Sequence, residues 1–236
     1  MKALKFIPDK KQQLSLDMGY EYYDYIPVIS QRTISLGDWF NKIIKRSFDI
    51  VFSLVIIIGL LSWLIPILGI IIKWNSDGPV FFIQKRNGLN NREFKCFKFR
   101  SMQVNELADI EQVSKNDKRI TRVGRFIRKT SIDELPQFFN VLLGDMSVVG
   151  PRPHMVSHTN LYAERIDKFM VRHFIKPGIT GLAQTKGFRG EIETDKDIIN
   201  RVRYDLFYIE KWSLLLDFKI IFNTIFNTLK GDKKAY

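Results

Sequence analysis

The chain has little of what marks several familiar classes of protein. Only Cys96 is a cysteine among its 236 residues, so no intrachain disulfide can form, and a disulfide-stapled secreted domain is excluded. Neither G-x-x-x-x-G-K nor G-x-G-x-x-G occurs, so a P-loop or a dinucleotide-binding fold has no support. Zinc-finger spacing, an aromatic-basic RNA signature and internal repeats are also missing.

Charged residues are absent from one long stretch, the 23 positions from Ile50 to Ile72. A helix of that length covers roughly 34 Å, about the hydrocarbon thickness of a bilayer. A spanning helix normally has its Lys/Arg excess on one side only, and here both flanks look cytoplasmic. The flanking basic residues are Lys42, Lys45, Arg46, Lys73, Lys85 and Arg86.

Pro66 predicts a kink or break within this stretch, because proline removes a backbone donor and clashes with the preceding turn. One interpretation is a re-entrant helix-break-helix, broken between Ser62 and Pro66, that dips into one leaflet and returns. The other is an ordinary span, since membrane helices tolerate proline. The residues alone leave both topologies open.

The net charge of the chain is +12, from 37 Lys+Arg and 25 Asp+Glu. Such a balance indicates a polyanionic partner, which could be nucleic acid, anionic lipid or a phosphorylated substrate. Beside a membrane segment, lipid headgroups and lipid phosphates are the favoured partners.

The remaining elements are less distinctive. Residues 1–38 form a polar N-terminal tail or short strand with several tyrosines, residues 39–74 the membrane-embedded segment, and residues 75–236 the globular part. The last predicted helix, Trp212 to Leu229, has one broad apolar face opposed by Asp217, Asn223 and Asn227. We expect that face to pack in the core, with the membrane interface as the alternative.

The strongest chemical signal is a row of arginines, one at every third position, that leads into Asp133 and Glu134. A solvated face and a capping box from Ser131 are the structural alternatives. Pro136 favours Asp133 over Ser131 as the helix cap, because proline suits only the first turn. Beside arginines, an aspartate can act as a nucleophile on phosphorus and its neighbour can hold Mg²⁺. The arginines are Arg119, Arg122, Arg125 and Arg128.

Two stiff loops add weaker signals. Arg152 stands between Pro151 and Pro153, where it suits a fixed phosphate clamp, although a lone loop arginine is usually solvated. The segment from Pro177 to Gly181 offers free backbone N–H groups for phosphate or base contacts.

Taken together, these segments resemble the bacterial sugar transferase family, the monotopic phosphoglycosyl transferases, over about residues 42 to 230. The matching segments occur in the family's order. They are Lys45-Arg46-Ser47-Phe48-Asp49, Gly78-Pro79-Val80-Phe81-Phe82, Phe97-Lys98-Phe99-Arg100-Ser101-Met102, Ser131-Ile132-Asp133-Glu134-Leu135-Pro136-Gln137, Gly144 to Pro153, and Lys176-Pro177-Gly178-Ile179-Thr180-Gly181.

The resemblance implies transfer of a hexose-1-phosphate from a UDP-sugar to undecaprenyl phosphate, with release of UMP. Asp133 would be the nucleophile that takes the phosphosugar, and Glu134 would bind Mg²⁺ at the diphosphate. The residues expected near the phosphates or the nucleotide are Lys98, Arg100, Arg128, Arg152, Pro153, Gly178 and Thr180.

The fold implied is α/β and mostly helical: a re-entrant membrane helix, a compact cytoplasmic catalytic domain, interfacial amphipathic helices and a small sheet. It would sit at the bacterial inner membrane, on the cytoplasmic face, in the first membrane step of exopolysaccharide, capsule or O-antigen synthesis. Its partners would be the UDP-sugar, undecaprenyl phosphate and inner-membrane lipids, without nucleic acid and with a homodimer left open.

One departure from the family and two rival functions remain. Some members break the membrane helix at a Ser-Pro pair, whereas here Ser62 is followed by Trp63 and the proline arrives at Pro66. The rivals are a non-catalytic membrane-surface scaffold that binds anionic lipid and a membrane protein that binds nucleic acid.

Overall fold

The computed structural model describes residues 18–23, 26–31, 34–104, 117–166, 168–190, 192 and 194–231. Its helices are α1 (Trp39–Ile56), α2 (Ser62–Asn75), α3 (Arg122–Lys129), α4 (Gln137–Leu143), α5 (Val156–Arg165), α6 (Leu182–Thr185), α7 (Asp195–Lys211) and α8 (Leu214–Lys230). Its strands are β1 (Met18–Tyr23), β2 (Ile26–Gln31), β3 (Phe81–Asn87), β4 (Glu93–Phe99), β5 (Ser147–Val149) and β6 (Gly178–Thr180).

Within the described residues the strands form three two-stranded sheets. The pairs β1–β2 and β3–β4 are antiparallel, and β5–β6 is parallel. The prediction of a mostly helical chain with little sheet is confirmed. Part of the predicted tail, residues 18–23 and 26–31, thus forms a strand pair, and the other residues of 1–33 lie outside the described residues.

Side-chain caps fix several helix starts. Thr121 accepts a hydrogen bond from the Gly124 amide at the start of α3, at 2.9 Å. Thr194 and Asp197 form a capping box at the start of α7, and Ser213 caps α8. Each cap satisfies a backbone donor that the first helical turn would otherwise leave unpaired.

The apolar stretch forms a continuous helix from Trp39 to Asn75, in which a π-helical turn, Ile57–Leu61, separates α1 from α2. The Ser62 amide donates to the Ile57 carbonyl, five residues back. The predicted break therefore takes the form of a π turn one helical turn before Pro66, and the backbone stays helical through the proline. A π turn is, like a proline, a recognised cause of helix bending.

Two polar side chains support this irregular turn. The Ser62 hydroxyl donates to the Ile58 carbonyl at 2.6 Å, and the Trp63 indole donates to the Gly59 carbonyl at 2.9 Å. In apolar surroundings such bonds compensate for a disturbed backbone ladder.

The surface of this helix is largely apolar and exposed. The 37-residue helix is long and apolar enough to cross a membrane, and only 22% of its most apolar window is buried. Large exposed side chains cover it from end to end, which marks a surface for a lipid or protein environment. They include Trp39, Phe40, Ile43, Val51, Val55, Ile58, Trp63, Ile67, Ile70 and Trp74.

Helix α8 continues this exposed apolar surface, so the expectation that its apolar face packs in the core is wrong. Its exposed side chains are Leu215, Phe218, Phe222, Ile225, Phe226 and Leu229. The side predicted to face water instead holds Asp217, which is fully buried. The helix is turned with apolar groups outward, which is the orientation of a helix at a membrane interface.

A buried charge network holds α1 against α8 and β5. Lys45 lies 2.8 Å from one oxygen of Asp217 and 3.6 Å from Asp49. Asp217 also accepts from the Tyr208 hydroxyl at 2.7 Å and the Trp212 indole at 3.1 Å. Asp49 accepts from the Ser147 hydroxyl and the Val148 amide, both at 3.0 Å. Burial raises the pKa of Asp49, although Lys45 opposes this shift.

The two halves of the long helix contact the same globular part. In α1, Arg46 donates to the carbonyls of Val141 and Leu142 at the end of α4, at 2.6 and 2.8 Å. At the end of α2, the side-chain oxygen of Asn75 accepts a hydrogen bond from the Val123 backbone amide of α3, at 3.4 Å. Both halves of this helix are therefore hydrogen-bonded to elements of the same globular part.

We predict that Lys45→Met strongly destabilises the fold, because it leaves Asp49 and Asp217 buried without a cation. Removing one partner of a buried ion pair costs about 3–5 kcal/mol in the free energy of unfolding. Lys42→Met, one turn earlier and exposed, is the matched control and should change it by less than about 0.5 kcal/mol. Unfolding in mild detergent measures both, and equal stability of the two variants would contradict the network's role.

Candidate active site

Asp133 and Glu134 lie on a single turn of 3₁₀ helix, Ile132–Glu134, between α3 and α4. Ser131 enters this turn in the left-handed region, at φ 58°. Helix α4 begins only after Pro136, which occupies the capping position. The expectation that Asp133 caps the helix is therefore wrong, because the proline, which has no N–H, itself marks the start. Both carboxylates are buried in the resulting bend.

Glu134 is held by three cationic side chains. Arg152 contacts it with both terminal nitrogens, at 2.6 and 3.1 Å, and Lys98 donates to it at 2.8 Å. Arg189 lies 3.7 Å from its second oxygen. Burial acts to raise the pKa of Glu134, but Arg152 and Lys98 outweigh it and hold that pKa well below its usual range. Glu134 is therefore a fixed negative charge.

Asp133 differs sharply from its neighbour. None of the described residues donates a hydrogen bond to its carboxylate, although Lys98, Arg128 and Arg189 act on it through space. Burial raises the pKa of Asp133, and the adjacent Glu134 charge adds to the rise against the attraction of Lys98. Two adjacent carboxylates with opposite pKa shifts suit two different chemical roles.

Cations outnumber carboxylates around this turn. Lys98, Arg152 and Arg189 contact Glu134, and Arg128 adds a further positive charge near Asp133. Arg86 lies behind them and donates to the Pro153 carbonyl at 2.7 Å. A fixed excess of positive charge in a partly buried site favours a substrate that carries phosphates.

The predicted loop residues are brought to the site in different ways. Arg152 reaches the carboxylates directly, but its partner here is Glu134. Thr180 shares a 2.6 Å hydrogen bond with Thr224 of α8. Gly178 is a packing position, because a Cβ there would meet the Gly150 amide at 2.1 Å. Its tight approach holds β6 against the Gly150 to Pro153 loop.

The structure places two predicted phosphate ligands differently. Arg100 is buried away from the carboxylates and donates to the Ser76 carbonyl at 2.7 Å and to the Asp77 carbonyl. It fixes the turn after α2. Arg128 ends α3 and is half-buried near Ser101, within electrostatic reach of Asp133. The other arginines of the row stay outside the site, since Arg122 and Arg125 are exposed and Arg119 pairs with Asp117.

Arg189 lies in the candidate site but is not among the residues that the sequence analysis predicted there. It follows the glycine-rich segment, and its guanidinium donates to the Ser131 hydroxyl at 2.8 Å, beside both carboxylates. Its setting between Gly187 and Gly190 is a signal of the kind that singled out Arg152: one arginine in a constrained loop.

The donor set suits a magnesium ion only when a substrate completes it. No three His, Cys, Asp or Glu side chains gather at one point in the part of the chain that the structure describes. Glu134 receives three close donors and keeps one lone-pair position, and the Asp133 carboxylate accepts no hydrogen bond from the described residues. Since Mg²⁺ is usually bound by one or two carboxylates together with substrate phosphates, these residues fit such an ion.

The comparison with known families decides the chain's membership. The model of the family described as "Bacterial sugar transferase" matches residues 40–231, which include both carboxylates and all their cationic partners. The chain belongs to the bacterial sugar transferase family.

Curated members of the family support this assignment along nearly the whole chain. Proteins named UDP-glucose:undecaprenyl-phosphate glucose-1-phosphate transferase from Klebsiella pneumoniae and Xanthomonas campestris are 47% and 44% identical, over 99% of this chain. The chain spans about half their length, 50% and 48%. An exopolysaccharide production protein from Rhizobium leguminosarum is 42% identical, over 82% of this chain and 98% of its own length.

We predict that Glu134→Gln lowers the free energy of unfolding by about 3–5 kcal/mol at neutral pH, since it leaves the half-buried Lys98 and Arg152 without their counter-charge. The stabilisation by Glu134 is fully present above the unfolded pKa of about 4.3 and is lost as pH falls through its lowered folded pKa. The difference in the free energy of unfolding between wild type and variant should therefore become smaller only at acidic pH.

Glu93→Gln is the matched control for this prediction. Glu93 pairs with Lys85 at 3.4 Å on the exposed edge of the β3–β4 hairpin. Exposed pairs contribute at most about 1 kcal/mol. Denaturant unfolding at several pH values gives both differences, and a Glu134→Gln variant as stable as Glu93→Gln would show that the cluster is not an ion-pair centre.

Proposed function

We propose that the protein transfers a hexose-1-phosphate from a UDP-sugar to undecaprenyl phosphate and releases UMP. The observation that carries the proposal is a pair of adjacent buried carboxylates in opposite electrostatic settings, surrounded by more cations than they neutralise. The names of the related proteins support the substrate class, and a phosphate-rich substrate pair fits the charge.

Asp133 is the nucleophile in this proposal. Its carboxylate oxygen attacks the phosphorus that bears the sugar, and the bond from that phosphorus to the bridging oxygen breaks. UMP leaves with the bridging oxygen and the bonding electrons, and an aspartyl-phosphosugar remains. An oxygen of the acceptor phosphate then attacks the same phosphorus, which frees the Asp133 carboxylate and forms the diphosphate link to the lipid.

The surrounding residues give each step its electrostatics. Arg152 and Lys98 fix Glu134 beside the nucleophile, and Arg128 and Arg189 add positive charge where phosphate oxygens would lie. Positive groups that are already in place stabilise charge that develops in the transition state. Glu134 would hold Mg²⁺ together with the diphosphate oxygens, and the ion would neutralise charge on the departing UMP.

We propose that the helix from Trp39 to Asn75 lies in one leaflet without crossing the membrane. At about 1.5 Å per residue this helix is much longer than the roughly 30 Å hydrocarbon layer of a bilayer. Both of its halves nevertheless contact the same globular part of the protein. The π turn and Pro66 supply a place to bend, and the exposed face of α8 adds a second apolar surface. The site would then meet a lipid phosphate and a soluble nucleotide sugar on the cytoplasmic face of the inner membrane, in exopolysaccharide, capsule or O-antigen synthesis.

We predict UMP release from at least one UDP-sugar when the full chain is incubated with undecaprenyl phosphate and Mg²⁺. Relatives are named for glucose, N-acetylgalactosamine and galactose, so a donor panel should cover these sugars. Asp133→Asn should lower the release at least about 10³-fold, because it removes the nucleophile.

Asp145→Asn is the control, since Asp145 lies just after α4 and its side-chain contact to Asn140, at 3.3 Å, can be kept by an amide. It should retain activity. Binding to anionic vesicles should survive in both variants. A wild-type chain that binds vesicles or oligonucleotides but releases no UMP from any donor would favour the scaffold or nucleic-acid alternatives.

We predict that the two ends of the apolar helix face the same side of the membrane. Lys42→Cys and Lys73→Cys place thiols at exposed positions near its ends, while the native Cys96 is buried. A membrane-impermeant maleimide should label both new thiols in inside-out vesicles and neither in right-side-out vesicles. Labelling from opposite sides would establish a spanning helix.

A further inference from the structure

A cavity of about 310 Å³ adjoins Glu134 on the side of the apolar helix, and Asp133 itself is not part of its lining. Its walls come from α1, α4, β6 and α8 and are mainly hydrocarbon. The volume lies at the lower end of the range for ligand pockets, ~300–1,000 Å³. The apolar lining includes Phe52, Ile56, Phe138, Ile179, Ile221 and Ile225.

The hydroxyl groups of this lining are hydrogen-bonded to other groups of the protein. Thr224 bonds to Thr180 and to the Ile220 carbonyl, and Thr185 donates to the Leu182 carbonyl. Of the two amide side chains in the lining, Asn227 donates to the Thr185 carbonyl at 3.2 Å, and the buried side-chain oxygen of Gln184 has no hydrogen-bond partner among the described residues. A uracil or a sugar would need several converging polar partners, which these walls do not offer.

Few of the side chains that line the cavity are charged. The charged residues in the cavity wall are Arg189 and Glu134, and Glu134 is already engaged by Lys98 and Arg152. Arg189 stands between the hydrocarbon walls and the carboxylates, bonded to Ser131 at 2.8 Å. The lining is thus complementary to a molecule that has a long apolar chain and one terminal anionic group.

The lining also includes exposed apolar side chains of α8. Ile225 and Leu229 belong to its lining and are themselves 55% and 82% exposed. They continue into the outward face of α8, next to the apolar helix. A lipid chain could enter from that surface without crossing a polar boundary.

We propose that this cavity holds the first isoprene units of the polyprenyl phosphate acceptor, with Arg189 as the residue that positions its phosphate beside Asp133. The assignment rests on the proposed transferase function and adds to it the place of the acceptor. The remainder of the lipid leaves over Ile225 and Leu229 into the membrane. The UDP-sugar would then bind on the side of the carboxylates where Lys98 and Arg152 lie.

Photo-cross-linking tests this assignment without any turnover. The full chain in nanodiscs of zwitterionic phospholipid is exposed to a polyprenyl phosphate with a photoreactive group on its third isoprene unit. Cross-links are expected in peptides containing Phe52–Ile56 and Ile221–Ile225. Undecaprenyl phosphate should compete for them, whereas undecaprenol and phosphatidylglycerol should not.

Ile225→Trp should lower this cross-linking about tenfold, the loss expected when roughly two buried CH₂ groups are excluded. Leu215→Trp adds similar bulk on the same helix at an exposed position outside the cavity, 79% exposed, and should leave cross-linking unchanged. Cross-links confined to exposed faces, an equal loss in both variants, or full competition by phosphatidylglycerol would overturn the assignment.

Arg189 is tested by separating the two substrates. Arg189→Ala should raise the KM for undecaprenyl phosphate about tenfold with a much smaller change in the KM for the UDP-sugar, and Arg189→Lys should recover part of the loss. Equal changes in both KM values would indicate that Arg189 only supports Glu134.

The outcomes distinguish this inference from the proposed function. Specific cross-linking together with no UMP release from any donor would keep the lipid site and reject the transfer. UMP release with cross-links elsewhere would keep the transfer and reject the lipid site.

Discussion

The arrangement of the protein depends on Lys45, which faces two carboxylates that are both removed from water. Its contacts to Asp217 and Asp49 join α1 to α8 and β5. A lysine buried with acidic partners is stable only when the geometry is kept, so the apolar helix has one allowed position on the core. That position places α1 beside α8, where both contribute to the lining of the cavity and to the exposed apolar surface.

The second constraint is electrostatic. Glu134 takes the direct ion pairs, and Asp133 beside it is buried without hydrogen bonds from the described residues. The two carboxylates are neighbours in sequence, yet their pKa values move in opposite directions. Opposite shifts of this kind are typical of paired carboxylates with different chemical roles. The excess of positive charge around them would be costly unless a phosphate substrate used it.

Local patterns predicted the elements but not the partners. The predicted membrane segment, residues 39–74, agrees within one residue with the helix from Trp39 to Asn75, because a long apolar run with basic flanks can be recognised from composition alone. Arg100 looked equivalent to Lys98, but it follows the strand and binds carbonyls of the turn after α2. The helical pattern predicted that Asp217 faces solvent. In the structure it is buried and paired with Lys45, which lies 172 positions away in the sequence. Arg189 has a glycine-flanked loop setting that resembles that of Arg152, but a local pattern does not show that its loop meets Ser131 and Glu134.

The central claim is that Asp133 carries the phosphosugar between donor and acceptor. The most direct measurement is mass spectrometry of the full chain after rapid mixing with the UDP-sugar and Mg²⁺ and without acceptor lipid. The account predicts a phosphohexose adduct on the peptide containing Asp133, which disappears when undecaprenyl phosphate is added. Lipid product formed by an active enzyme with no adduct at Asp133, or with an adduct at another residue, would contradict it.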